Sequence, residues 1–210
     1  ENVVTDSNVT GIKDTIDPFA FVDDETGKVW LVFGSVGGIH QVELSKDGLS
    51  LAEGATYKHI AGQDINNDNA RLSVFEGSYV YKKDGWWYLF ASAGRYNDYS
   101  YAIVVGRSKS VSGPFLTKEG KDMAEGFGTA ILASSPYDKF YGPGHNGEIF
   151  IDKNGDTFMI YHVHVGDYRE ARNRRGYNPR PMNIQRLYWG KDGWPYFNHD
   201  EIEGGKIRVK

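Results

Sequence analysis

The stretch that decides the fold is Asp17-Pro18-Phe19-Ala20-Phe21-Val22, then Asp23-Asp24-Glu25-Thr26-Gly27, then Val29-Trp30-Leu31-Val32-Phe33-Gly34-Ser35. Two short apolar, aromatic-rich runs flank a turn whose glycine suits positive φ, which is the signature of a β-hairpin. The pattern returns twice. Glu76-Gly77-Ser78-Tyr79-Val80-Tyr81 precedes Lys82-Lys83-Asp84-Gly85 and Trp86-Trp87-Tyr88-Leu89-Phe90-Ala91-Ser92. Gly147-Glu148-Ile149-Phe150-Ile151 precedes Asp152-Lys153-Asn154-Gly155 and Thr157-Phe158-Met159-Ile160-Tyr161-His162. Trp30, Trp87 and Phe158 hold one place in the three copies, 57 and 71 residues apart, and Phe33, Phe90 and Tyr161 hold another. A repeat of this length with about four short strands reads as a propeller blade. One such sheet cannot bury both faces alone, so blades must pack on each other, and the aromatic positions suit that contact. A β-sandwich is the alternative.

Working outward, Ala102–Val105 and Ile184–Tyr188 are further strand-like runs, and Asp47-Gly48 and Asp192-Gly193 further turns. No stretch of eleven residues carries a clean i, i+3, i+4 apolar stripe, so helix is nearly absent. The chain has 210 residues, 25% charged and 40% hydrophobic, which is globular rather than disordered composition. It has no cysteine, which removes disulfides, thiol nucleophiles, iron–sulfur clusters and Cys-ligated zinc. The net charge of −4 argues against nucleic acid as the main partner. No apolar run approaches the roughly 18 residues of a membrane helix, and Glu1 to Lys13 lacks the charged-then-apolar pattern of a signal peptide.

Inner strands of propeller blades line a central funnel, so functional groups are expected at their ends. Asp17 and Glu76 open their repeats at equivalent positions. Two carboxylates entering one funnel from adjacent blades can do acid/base work on a glycosidic bond, or each can simply cap a strand or pair with a nearby cation. In the third repeat the matching segment is Tyr141-Gly142-Pro143-Gly144-His145-Asn146-Gly147. His145 there suits a metal or a sugar hydroxyl, and equally a structural role. His162 and His164 share one face of a strand. Three histidines suit zinc by residue type, but the spacing fixes no geometry. Phosphate-loop, His-Glu-x-x-His and Gly-x-Ser-x-Gly signatures are missing from the sequence. Gly34–Gly38 follows a strand without opening a helix, so it is no dinucleotide loop. The Arg-rich stretch Glu170–Arg180 reads as a solvated loop because acidic residues are interspersed. Asn8-Val9-Thr10 is a glycosylation sequon in form.

Taken together, these segments resemble family 43 glycoside hydrolases of the arabinanase type. Ile16-Asp17-Pro18 with Trp30–Ser35 and Gly38-Ile39 resembles the family's second blade, and Glu76–Tyr81 with Trp87–Ser92 its third. Gly106-Arg107-Ser108-Lys109-Ser110-Val111-Ser112-Gly113-Pro114-Phe115 is similar to the stretch that follows. Gly142–Asn146, Tyr161-His162 and Leu187-Tyr188-Trp189-Gly190-Lys191-Asp192-Gly193-Trp194-Pro195 continue the match. The resemblance runs from about Asp14 to Phe197.

The resemblance implies an all-β, five-bladed β-propeller, of which this chain supplies about three and a half blades as one catalytic domain over residues 1–210. It implies an inverting glycosidase cutting internal α-1,5-L-arabinofuranosyl linkages of arabinan in pectin side chains, acting in a secreted or periplasmic setting. Glu76 would be the general acid. Asp17 would be the carboxylate that tunes the acid's pKa and keeps it protonated. Ser35 would line the sugar subsite. His145 would ligate a metal, with calcium and mostly water ligands as the expectation. The family's general base lies in the first blade, upstream of the matched segments, so it is expected outside this chain, on an N-terminal fragment present as a separate chain. An exo-acting arabinofuranosidase or β-xylosidase of the same family, and a non-catalytic carbohydrate-binding propeller lacking the base, are the alternatives.

Overall fold

A computed structural model describes residues 5–63, 74–135, 140–166, 180–198 and 201. The sequence's β pattern is borne out. The described residues hold 14 strands, β1 (Phe19–Val22), β2 (Val29–Phe33), β3 (Ile39–Leu44), β4 (Lys58–Ala61), β5 (Phe75–Lys83), β6 (Trp86–Ala93) and β7 (Ala102–Ser108), followed by β8 (Thr129–Ala133), β9 (Phe140–Gly144), β10 (Ile149–Ile151), β11 (Thr157–Val165), β12 (Met182–Arg186), β13 (Tyr188–Trp189) and β14 (Pro195–Tyr196). Among the described residues these form three four-stranded sheets and one two-stranded sheet. Among the described residues, the helical segments that the periodicity did not announce include one turn, α1 (Ser7–Thr10), capped by Asp6, and a 3-10 turn at Met123–Glu125. The sequon Asn8-Val9-Thr10 falls in α1. Of the Arg-rich stretch, residues 170–179 lie outside the described residues.

The chain divides into two compact units, Glu1–Ala91 with Val105–Thr129, and Ser92–Val104 with Ala130–Lys210. In unit 1 the first sheet runs β1-β2-β3-β4. The Asp23 turn closes as its sequence predicts. Asp23 N–H donates to Lys28 O at 2.9 Å, its carboxylate accepts from Glu25 N–H and Thr26 Oγ1, and Gly27 takes φ 70°. β1 and β2 then register Phe19 on Val32 and Phe21 on Trp30. Leu31, Phe33, Val42 and Leu44 form one buried cluster over this sheet. The next repeat packs on it through rings, Phe19 against Tyr79 at 4.3 Å and Phe21 against Trp87 at 5.8 Å. Of the aromatic repeat positions, Trp87 makes a sheet-to-sheet contact here, and ring pairs of this kind add about 0.5–1.5 kcal/mol each beyond area burial.

The second sheet has the order β5-β6-β7-β8, and the division between the units runs through its strands. Asp84 at φ 50° and Gly85 at φ 70° form the two-residue turn joining β5 to β6. Trp87 through Ser92 are all buried, as suits a central strand covered on both faces.

In unit 2, β11 is the spine. β12 pairs one edge of it, and β9 and β10 share the other, β9 against His162–Val165 and β10 against Thr157–Met159. The first strand of this repeat is therefore broken at residues 145–148. The turn to β11 is held by Asp152, whose carboxylate accepts from Asn154 and Asp156 N–H, both at 2.9 Å. The expected run Ile184–Tyr188 is divided between the end of β12 and the start of β13, and Leu187 between them stays in register with β11, its N–H donating to Thr157 O at 2.8 Å.

β9 also packs tightly on the connection before β7. A Cβ on Gly144 would lie 2.1 Å from the ring of Tyr101, which is fully buried. Gly144→Ala should therefore destabilise by about 1–3 kcal/mol, read as a lower urea midpoint at unchanged m-value.

Candidate active site

Three of the residues singled out in the sequence meet in unit 1. Asp17 stands just before β1 at φ 55°. A positive φ is uncommon outside glycine, with Asp, Asn and His the usual exceptions. Ile16 O, one residue earlier, accepts from Gly34 N–H at 2.8 Å, which ties the start of β1 to the end of β2. Ser35 lies two residues past the end of β2 and is almost wholly buried. Glu76 is the second residue of β5 and is half-buried, like Asp17.

The contacts cross from one repeat to the next. Ser35 Oγ donates to Glu76 Oε2 at 3.1 Å. Asp17 Oδ2 accepts from the N–H of Gly77, next to Glu76, at 3.2 Å. Gly77 itself is at φ 58°, which glycine adopts without a Cβ penalty. The two carboxylates that the repeat placed at equivalent positions thus converge on one stretch of β5. A carboxyl fixed by a serine hydroxyl and left half-exposed can deliver a proton along a defined direction, which is what a general acid requires.

His145 belongs to unit 2. It follows β9, is exposed, and takes φ 47°. Its N–H donates to Ser92 Oγ at 2.6 Å. Its ring stacks on His162 at 6.2 Å, and His162 stacks on Tyr101 at 5.6 Å. Burial, and then the nearby Arg180 charge, push His162 down to about 4, so it is neutral at ordinary pH. His164 is spoken for otherwise, stacked on Tyr141 at 4.9 Å with its Nε2 2.9 Å from Tyr96 O.

Calcium takes roughly six to eight oxygens, water included. Beside His145 lie the His162 ring and the buried Asn146 Oδ1, which has no hydrogen-bond partner, so water would have to supply most ligands of a calcium ion held there. Among the described residues, no three His, Cys, Asp or Glu gather where they could hold a metal ion, zinc included. No chemistry is routed through a metal here.

Ser92 was not singled out in the sequence, although the signal was there. It ends its repeat where Ser35 ends the first, and each reaches the opening of the following repeat.

An all-β repeat protein in which one carboxylate is held by a serine hydroxyl and a second by the neighbouring backbone N–H, at the starts of two repeats, fits a class, the propeller-type glycosidases. Residues 4–195 match glycosyl hydrolases family 43, and the chain belongs to that family. It is 33% identical over 196 residues to the extracellular exo-α-(1→5)-L-arabinofuranosidase ArbA of Cellvibrio japonicus, covering 90% of this chain and 53% of that protein. It is 36% identical over 180 residues to arabinan endo-1,5-α-L-arabinosidase C of Emericella nidulans, covering 80% and 52%. The α-L-arabinanase of Cellvibrio cellulosa, solved with arabinohexaose, superposes with a TM-score of 0.73 at 30% identity, covering 90% of this chain and 58% of that one. The chain spans about half the length of the curated relatives it matches. The five-bladed β-propeller implied by the resemblance is the fold of these arabinanases. Among the described residues, three four-stranded sheets and a hairpin fit about three and a half blades of it.

Removing the Ser35 hydroxyl tests the site's wiring directly. Ser35→Ala should cost about 1 kcal/mol of stability, while Asp17→Asn, which keeps an oxygen for Gly77 N–H, should change it by less. Chemical denaturation of the two variants side by side measures the difference.

Proposed function

We propose that this chain carries the catalytic acid of an inverting glycoside hydrolase that cleaves internal α-1,5-L-arabinofuranosyl linkages of arabinan, the pectin side chain. Glu76 is the general acid, Asp17 its companion carboxylate, and Ser35 part of the sugar subsite. The observation that carries this reading is the Ser35–Glu76 hydrogen bond beside the Asp17–Gly77 one, at the starts of two adjacent repeats. Family membership and the arabinan-directed names of the relatives support the substrate class.

In this mechanism the Glu76 carboxyl gives its proton to the leaving glycosidic oxygen as the C–O bond breaks. Ser35, donating to Oε2, fixes the plane of the carboxyl and hence the direction of transfer. Water attacks the opposite face of the sugar, and a second carboxylate roughly 6.5–9.5 Å from the acid takes its proton. We assign that base to a carboxylate outside these 210 residues, which accords with the share of its relatives that the chain spans. The relatives named as extracellular support an extracellular site of action.

Glu76→Gln in the full protein should lower turnover of linear arabinan at least about 100-fold, with oligosaccharide affinity retained in calorimetry. Unchanged turnover would remove Glu76 from the acid role. The 210-residue chain alone should bind arabino-oligosaccharide without hydrolysing it, and hydrolysis by it would show that the base is within the chain.

A second reading is exo-action, favoured by the Cellvibrio japonicus relative, whose name describes an exo-acting enzyme. Early products separate the two. A ladder of oligomers from long linear arabinan is expected, and release of only the terminal product would establish exo-action instead.

A further inference from the structure

Ser35 is held by a turn, and that turn is held by two histidines. Gly38 N–H closes the turn on Ser35 O at 2.9 Å. The turn is compact enough that a Cβ on Gly34 would lie 2.2 Å from Gly38 O, and one on Gly37 would lie 2.5 Å from Lys13 O. His40, second in β3, and His59, second in β4, face each other across the strands beside a register shift. Each grips a different part of Gly38. His40 Nδ1 lies 3.2 Å from Gly38 O. A Cβ on Gly38 would lie 2.5 Å from His59 Nε2 and 2.7 Å from its Cδ2, so this imidazole packs directly on the glycine Cα. The two rings are 5.2 Å apart, and His40 also lies along Phe33 at 6.3 Å.

The chemistry of the pair is consistent with a clamp. A carbonyl only accepts, so Nδ1 of His40 carries the proton. Burial, and then the neighbouring His59, hold His40 below the usual imidazole pKa, so it serves as a neutral donor near pH 7. His59 is exposed, so its contact with Gly38 is a one-sided brace rather than part of the core.

We propose that His40 and His59 are positioning residues for Glu76, acting through the Ser35–Gly38 turn that delivers the serine hydroxyl to the acid's Oε2. This rests on the general-acid reading of Glu76. The chain of contacts is continuous, from the two imidazoles to Gly38, from Gly38 N–H to Ser35 O, and from Ser35 Oγ to Glu76. A displacement of about 1 Å at a reacting group can cost about 100-fold in rate. Partial slack in the turn therefore predicts a fall in kcat of about tenfold.

The test combines kinetics with amide hydrogen exchange in the full protein. His40→Ala and His59→Ala should each lower kcat on linear arabinan about tenfold with KM changed less than twofold, and should speed exchange of the Gly38 amide. His40→Asn places an amide N–H near the position of Nδ1–H and should restore both to within twofold of the unaltered protein. Unchanged kcat and unchanged Gly38 exchange in both alanine variants would overturn the proposal. So would a loss of activity that tracks the melting temperature and is not restored by Asn, which is the outcome of a merely structural role. Glu76→Gln run in parallel keeps the two readings apart. If it retains turnover, the acid assignment fails. If it is inactive while the histidine variants are normal, only the clamp fails.

Discussion

The hydrogen bond from Ser35 to Glu76 is the point on which packing and chemistry coincide. A four-stranded sheet with short strands cannot cover both of its faces, so each repeat must be closed by the next. In unit 1 the closure is mostly apolar, through Phe19 on Tyr79 and Phe21 on Trp87. Aromatic contacts of this kind are strong but tolerant of small shifts. The serine bond, at 3.1 Å, adds direction to them. It ties the start of β5 to the end of β2, and it does so through the carboxyl proposed as the general acid. Asp17, bound to the next backbone amide along, repeats the constraint from the start of β1. Sheet packing and carboxylate orientation therefore cannot vary independently.

Backbone strain is concentrated where those side chains must be aimed. Among the described residues, four that are not glycine have positive φ, and two of them are Asp17 and His145. Left-handed conformations cost about 1–2 kcal/mol for ordinary residues, less for Asp and His. A regular strand would alternate side chains across its faces, and a residue at the strand start would point wherever the alternation dictated. A left-handed residue breaks that alternation for one position. At His145 the same conformation splits the first strand of the repeat into β9 and β10, which still share the edge of β11.

Much of this was legible in the sequence because β-hairpins announce themselves locally. The turns at Asp23–Gly27, Asp84-Gly85 and Asp152–Gly155 are where the Asp and Gly residues put them, and three copies of one pattern fix which residues are equivalent. Equivalence alone set Asp17 beside Glu76 as a pair, and it already held the role of Ser92, since that serine stands where Ser35 stands. The His40–His59 clamp was not legible. Its residues are 19 apart in sequence, and they meet through a register shift between β3 and β4 that alternation does not report. Nor was the division of Ile184–Tyr188 between β12, which pairs with β11, and β13, which pairs with β14. Periodicity describes side-chain faces, and both of these are decided by where one backbone group finds its partner.

The serine rule also separates the roles of the two units' candidates. Ser35 donates through its hydroxyl hydrogen to a carboxylate of the next repeat. Ser92 accepts from the backbone N–H of His145. The first bond fixes the direction of a side chain, and the second fixes a main-chain position. The ring stack of Tyr101, His162 and His145 completes that fixation with a histidine kept neutral by burial and by Arg180. One equivalent position in the repeat thus does two kinds of work, orienting a carboxylate in unit 1 and holding a backbone kink in unit 2. The difference follows from which atom of the next repeat the hydroxyl meets.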